Sequence, residues 1–272
     1  MVTKGAWIGK GMTAEVYEWG TDKVIKLYYE GVPLDWIRLE AEIGLAVEAA
    51  GVPAPRVHGM AAAEGRHGLL YDKIAGSPML DLIRRSAVRM TANARAMARL
   101  HGAVHRCSSA ALPRQKDRLE QAIGDARGIL GGNAAAICAY LRALPDGDRV
   151  CHGDFHPGNI IAAGDRLTAI DWTNACTGDP AGDAARTSLM FLSPFLPPGT
   201  TAAMTIPLRI AKRVLNRAYL KEYCRLSAVS EADIGAWMLP VAAARLRENI
   251  PGERDWLLSL IDRRLAALAP HR

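Results

Sequence analysis

Long apolar runs are missing from this chain. No window approaches the roughly eighteen apolar residues of a membrane span, and the opening MVTKGAWIGKG has no apolar core of signal-peptide length. Cysteine is scarce as well: Cys107, Cys138, Cys151, Cys176 and Cys224 stand far apart, in odd number and without a CxxC pair. That excludes a disulfide framework and a thiolate zinc site, and it fits reduced thiols in a cytoplasmic protein. Basic clusters are absent too. The 34 Lys and Arg exceed the 28 Asp and Glu by six, but they are scattered and have no interleaved aromatics. Such a pattern reads as a solvated surface and argues against a nucleic-acid partner.

What is present is a globular composition, half hydrophobic and 23% charged over 272 residues, enough for a substantial core. No internal repeat or low-complexity linker interrupts it. The first thirty residues alternate in strand fashion through AWIGKG, EVYEW and KVIKLYY, with a GTD turn between the last two, which predicts a small antiparallel sheet. A helix is expected over 36–50, with Asp35 as its N-cap, an apolar side centred near Trp36, Ile43 and Val47, and Gly51 and Pro53 as stop signals. HGLLYDKIAG reads as a further strand entering a polar turn. After about residue 77 the pattern becomes helical, except for a strand-like island at 149–172. The expected class is α+β, sheet-rich for roughly the first 75 residues and mostly helical afterwards.

The island carries the chemistry. In CHGDFHPGNIIAAGDRLTAIDW, the runs NIIAA and RLTAID flank Gly164-Asp165, a composition suited to a two-residue hairpin turn. Pairing Ala163 with Arg166 sets Asn159 opposite Ile170 and leaves Asp171 beside it at the open end. Asp154, on the preceding loop, can approach the same place, with Gly153, Pro157 and Gly158 allowing a tight path. Two carboxylates and one amide oxygen supply hard ligands for Mg²⁺ and leave one carboxylate for a substrate proton. These are the parts of a phosphoryl-transfer site.

HGDFHPGN followed by AIDW and GDPAGD resembles the catalytic loop and metal-binding aspartate of the aminoglycoside phosphotransferase and choline kinase superfamily, and the resemblance extends over most of the chain. It implies a bilobal protein-kinase-like fold, with an N-lobe over 1–75, a hinge near 71–76 and a C-lobe over 76–272. It further implies Asp154 as catalytic base, Asn159 and Asp171 as Mg²⁺ ligands, and His152 and Asp183 as structural supports of the catalytic loop. His156 is expected to be satisfied locally, and Asp179 to cap the helix that begins at Pro180. His101 reads as a core histidine.

Such a fold demands three upstream features. The phosphate-covering turn is IGKGMTAEVY, where Gly9, Gly11, Met12 and Thr13 bring backbone N–H groups near phosphate oxygens; Ala14 stands where a third glycine would. Lys26, in VIKLY, becomes the ligand of the α and β phosphates. Its glutamate partner is Glu40, which lies roughly 60° from the apolar centre of the helix, with Glu42 at roughly 100° in reserve. The backbone of Asp72 to Ile74 would read the adenine edge.

The implied activity is Mg²⁺-dependent transfer of the γ-phosphate of ATP, or of GTP, to a hydroxyl of a small molecule by a monomer or homodimer. An aminoglycoside or other antibiotic is one acceptor; a choline-, sugar- or homoserine-like metabolite is the alternative, and a non-catalytic nucleotide-binding module a third. From residue 201 onward twelve Lys and Arg stand against seven Asp and Glu, which argues against a highly cationic acceptor unless Glu248, Glu253 or Asp255 forms a local acidic pocket. A choline cage would draw on Tyr219, Tyr223, Trp237 or Trp256, which otherwise read as packing.

Overall fold

The computed structural model describes residues 4–197 and 199–268. Strands β1 (Lys4–Lys10), β2 (Ala14–Trp19) and β3 (Lys23–Tyr28) form an antiparallel meander, joined by β4 (Val57–Ala63) and β5 (Arg66–Asp72) in the order β1-β2-β3-β5-β4. β4 escaped the sequence reading because VHGMAAA is poor in strand formers. The Glu64-Gly65 turn, with both residues at positive φ, closes a hairpin onto β5, and ladder pairing overrides the weak propensity.

Helix α1 (Leu34–Ala49) packs on this sheet through Ile37, Glu40, Ile43, Ala46 and Val47, which recur at helical spacing. Two expectations for α1 need correction. Pro33, not Asp35, occupies the N-cap position, and Asp35 lies inside the first turn, where its charge favours the helix dipole. Trp36 is 64% exposed, because its side faces away from the sheet.

The chain then crosses through Gly76, whose φ of +135° and close approach to the Ala162 carbonyl leave no room for a Cβ. Beyond it come β6 (Ser77–Pro78), α2 (Met79–Arg85), α3 (Met90–Val104), α4 (Gln115–Asp125), α5 (Arg127–Leu130) and α6 (Asn133–Ala143). The island folds as β7 (Arg149–Cys151), β8 (Ile160–Ala163), β9 (Arg166–Ala169) and β10 (Cys176–Gly178). β8 and β9 pair in the anticipated register, Ala163 with Arg166, and β7 pairs with β10. Helices α7 (Pro180–Leu192), α8 (Ala202–Leu226), α9 (Glu231–Arg245) and α10 (Arg254–Leu268) complete the chain. No helix among the described residues is long and apolar enough to cross a membrane.

One apolar cluster, built on Ala14, Tyr28, Ile37 and Leu69, underlies the five-stranded sheet. A much larger one joins the C-terminal half of α1 to the helical region. Tyr219, Tyr223 and Trp237 lie wholly inside this second core.

Candidate active site

Lys26 lies on β3, the central strand of the sheet, paired with β2 on one side and β5 on the other. Its Nζ donates to Glu40 Oε1 at 2.7 Å and to Asp171 Oδ1 at 3.0 Å, so one ammonium ties the N-terminal sheet, α1 and the segment after β9. Tyr71 also donates to Glu40 Oε1, at 2.9 Å, and Thr173 Oγ1 donates to Asp171 Oδ1 at 2.9 Å. Glu42 points to solvent. Burial pushes the Lys26 ammonium down, but Asp171 and Glu40 outweigh it and hold the group above the ordinary lysine range. Asp171 is likewise pushed up by burial and brought below the usual carboxylate range by Lys26. Its backbone sits at φ +61°, rare for a residue with a Cβ, so the turn into Trp172 holds Asp171 in a strained pose that aims it at Lys26.

The hairpin places Asn159 beside this aspartate, with the Ile170 amide donating to the Asn159 carbonyl at 2.9 Å. Asn159 Nδ2 donates to the Asp154 carbonyl at 3.0 Å and to Asp154 Oδ2 at 3.3 Å. This fixes the amide orientation and leaves Oδ1 as the atom for a cation. A carboxylate and an amide oxygen at one sheet end are the hard donors Mg²⁺ takes, so the residues fit that ion.

Asp154 Oδ1 also receives Arg186 Nη2 at 3.4 Å, and His156 Nε2 lies 3.6 Å from Oδ2. Burial pushes the Asp154 carboxyl up, yet His156 and Arg186 hold it far below the usual carboxylate range. His156 turns its Nδ1 to the Gly158 amide at 3.0 Å and so caps the short 3₁₀ turn Pro157–Asn159.

The loop that carries Asp154 is braced from behind. Asp183 of α7 accepts from the His152 amide at 2.5 Å, the Gly153 amide at 2.9 Å, His101 Nε2 at 3.0 Å and His105 Nε2 at 3.2 Å. The opposite nitrogens of the two histidines pair with the Tyr219 and Tyr223 hydroxyls, each at 2.7 Å, so each ring is held at both ends. His101, His105 and Asp183 have the composition of a metal site, but every donor and acceptor in the trio already has a protein partner. Burial, aided by His105, lowers His101 to about 3. His152 donates from Nε2 to the Ile170 carbonyl at 3.0 Å and so ties the loop to β9. Gly153 takes φ +76° against the Asn174 carbonyl, where a Cβ would collide. Asp179 caps α7 by accepting from the Ala181 amide at 2.8 Å.

The turn between β1 and β2 is open. A Cβ at Gly9 would meet nothing within 4 Å, and one at Gly11 only the Ala14 carbonyl at 3.8 Å, so the fold itself does not require either glycine. The Gly11 amide donates to the Ala14 carbonyl at 2.8 Å, the Thr13 carbonyl accepts from Tyr29 at 2.9 Å, and Met12 is 89% exposed. In the crossing segment, the amides of Asp72 and Lys73 already donate to Arg56 and Asp22 carbonyls. Among the expected readers of adenine, the amide of Ile74 is therefore the one left for a ligand.

Sequence reasoning missed Thr173, Tyr71 and Arg186. Arg186 had a usable signal, since it follows Asp183 by three residues and therefore shares its helix face. The acidic pocket allowed for in the C-terminal region does not form. Glu248 is held by Arg186 at 2.5 Å and Arg245 at 3.0 Å, and Glu253 is gripped by both ends of Arg245 and by Ser193, while Asp255 is exposed. Tyr219, Tyr223 and Trp237 are core residues, which leaves no aromatic cage among them.

Comparison with solved structures returns the same architecture. Aminoglycoside phosphotransferase APH(4)-Ia, in a ternary complex with ADP and hygromycin B, shares 16% identity over 96% of this chain and 93% of its own, with a TM-score of 0.64. A streptomycin-ATP-APH(2")-IIa ternary complex shares 14% over 96% and 92%, at 0.55. A choline/ethanolamine kinase family protein from Mesorhizobium loti shares 20% over 98% and 89%, at 0.54. These likenesses place the fold as protein-kinase-like. A search of curated proteins finds no significant match. The model of the phosphotransferase enzyme family matches residues 6–205, most of the chain, and the protein belongs to that family.

Proposed function

We propose that this protein is a Mg²⁺-dependent O-phosphotransferase that moves the γ-phosphoryl group of ATP, or of GTP, to a hydroxyl of a small molecule in the cytoplasm. The observation that carries the reading is the convergence of Lys26, Glu40, Asp154, Asn159 and Asp171 from four separate stretches of chain. In this reading the N-lobe, 1–75, holds the nucleotide and the C-lobe, 76–272, the catalytic loop and acceptor.

Each residue has a distinct task. Lys26, oriented by Glu40, engages the α and β phosphates, and the Gly9–Thr13 turn covers the phosphates with its backbone. Asn159 Oδ1 and Asp171 would hold Mg²⁺, which when bound neutralises phosphate charge. Asp154 orients the acceptor hydroxyl and takes its proton as the hydroxyl oxygen bonds to the γ-phosphorus. The bridging P–O bond breaks and its electron pair leaves with the nucleoside diphosphate. An aspartate held this far below neutrality is a weak base, so its main work is positioning, and proton transfer follows late in a loose transition state.

Of the acceptor classes, the metabolite alternative is favoured over a polycationic aminoglycoside by the neutralised Glu248 and Glu253. Calorimetric titration of Mg·ATP tests the nucleotide half. Wild type should bind, and Asp171→Ala and Lys26→Ala should each weaken binding by about tenfold or more, as expected on removing a charged partner of the ligand. Unchanged affinity in both variants would remove the assigned roles.

A further inference from the structure

A cavity of ≈ 100 Å³ lies behind the catalytic loop, between α4, α7 and the turn that follows α9. Gly153 and Asn174 form part of its wall, and three arginines, Arg118, Arg186 and Arg247, line it together with Glu248. The volume equals roughly three water molecules' share of liquid, room for a carboxylate or a phosphate group.

The charge of this cavity is not balanced. Its two carboxylates are spent: Glu248 on Arg186 and Arg245, Asp183 on two histidines and two backbone amides. Arg118 donates to the Thr173 carbonyl at 3.3 Å, and no carboxylate among the described residues lies within ion-pair distance of it. Burial, with the positive charge of Arg247 nearby, pushes the Arg118 guanidinium below the ordinary arginine range. Arg247 has one partner, Asp125 at 3.3 Å, and both groups are about half exposed, so that pair is weak and easily exchanged. Arg186 keeps its Nε buried without a partner. Neighbouring guanidinium groups with unspent donors are stabilised by an anion, and their planar forks match the oxygens of a carboxylate or phosphate.

Position connects the cavity to the reaction. Gly153 precedes Asp154, and Arg186 spans from the cavity to Asp154 Oδ1. Arg118 is bonded to the carbonyl of Thr173, whose hydroxyl touches Asp171.

We propose that the acceptor is an alcohol that also carries a carboxylate or phosphate group, and that Arg118 and Arg247 seat this group in the cavity while Arg186 links it to Asp154. This rests on the phosphotransferase reading above and deepens it. The hydroxyl of the same molecule is the one phosphorylated, with the bond changes already described. A cationic acceptor is disfavoured because it would place its charge against three arginines.

The test has two arms. Transfer of labelled γ-phosphate is measured across small hydroxy acids, sugar and glycerol phosphates, neutral sugars, choline, ethanolamine, streptomycin and hygromycin B. Activity is expected in the hydroxy-acid or the phosphate set, which tells the two anions apart. Arg118→Gln and Arg247→Gln should raise KM about tenfold or more with kcat little changed, and Arg118→Lys should recover part of the loss. Transfer confined to cationic or neutral acceptors, or a KM that the arginine variants leave alone, would overturn the proposal. In the second arm, thermal unfolding is followed with inorganic phosphate and no nucleotide. The wild type should gain stability and the Arg118→Gln/Arg247→Gln double variant should not; no gain in the wild type, or a gain that the double variant keeps, counts against the site. If phosphate passes this arm while Mg·ATP fails to bind, the anion site stands and the phosphotransferase reading falls.

Discussion

At the scale of single residues, the site works by opposing burial with charge. Lys26, Asp171 and Asp154 are each drawn from water, and each stays ionised because a partner outweighs the desolvation. Glu40 is the partner without a second cation, so Glu40→Gln should leave Lys26 bound to Asp171 alone and free to swing toward it. Mg·ATP affinity should fall several-fold, while the variant still folds because Gln fills the same space and keeps the Tyr71 contact. A binding titration checks this, and equal affinity would mean that Lys26 needs no orienting group. The glycines of the turn between β1 and β2 give a sharper contrast. Gly9→Ala meets open space, so stability should change by no more than about 0.5 kcal/mol, while nucleotide affinity drops where a methyl group stands in the path of a phosphate.

At the scale of elements, α7 is the strut of the loop that carries Asp154. Its Asp183 gathers two loop amides, His101 of α3 and His105 at the C-cap of α3 in one buried knot. Asp183→Ala strands those donors, so it should cost about 3–5 kcal/mol, read as a lower urea midpoint at unchanged slope. His101 adds a pH dependence. Its folded value of about 3 is depressed from an unfolded 6.5, so the unfolded chain binds the extra proton between those limits. Stability from this group is whole above pH 6.5 and falls toward pH 3, by about 1.4 kcal/mol per pH unit in mid-range. Urea unfolding at pH 7 and pH 5 should show the loss, and His101→Gln should flatten it; an equal slope in the variant would assign the titration elsewhere.

The same element scale shows what could be read from residue order alone. The β8–β9 hairpin was legible because a Gly-Asp turn and a short apolar ladder leave one register, and that register brings Asn159 to Asp171. α1 was legible as a helix, and helical angle selected Glu40, because periodicity reports which side is buried. Trp36 misled because large apolar residues at a helix start need not face inward. β4 was hidden in small residues that favour no strand, and its existence depends on pairing with β5. Arg186, Arg118 and Arg247 come from three helical segments distant in sequence, so their shared cavity is a product of packing that no local pattern encodes.

At the scale of the whole molecule, the five-stranded sheet and the helical region meet at Lys26 and Asp171, 145 positions apart in the chain. A nucleotide held by both should act as a tie between them. Mg·ATP at about a hundred times its Kd should therefore stabilise the wild type by about 2.7 kcal/mol. The C-terminal surplus of positive charge, which composition already suggested, becomes specific once its acids are seen to be consumed internally. The measurement that bears most directly on the central claim is Mg²⁺-dependent phosphoryl transfer by the wild type and by Asp154→Asn under saturating Mg·ATP, with nucleotide affinity measured alongside. The account predicts that Asp154→Asn loses about 10²–10⁴-fold in kcat while binding Mg·ATP within about threefold of the wild type. Comparable turnover in the two proteins would contradict it.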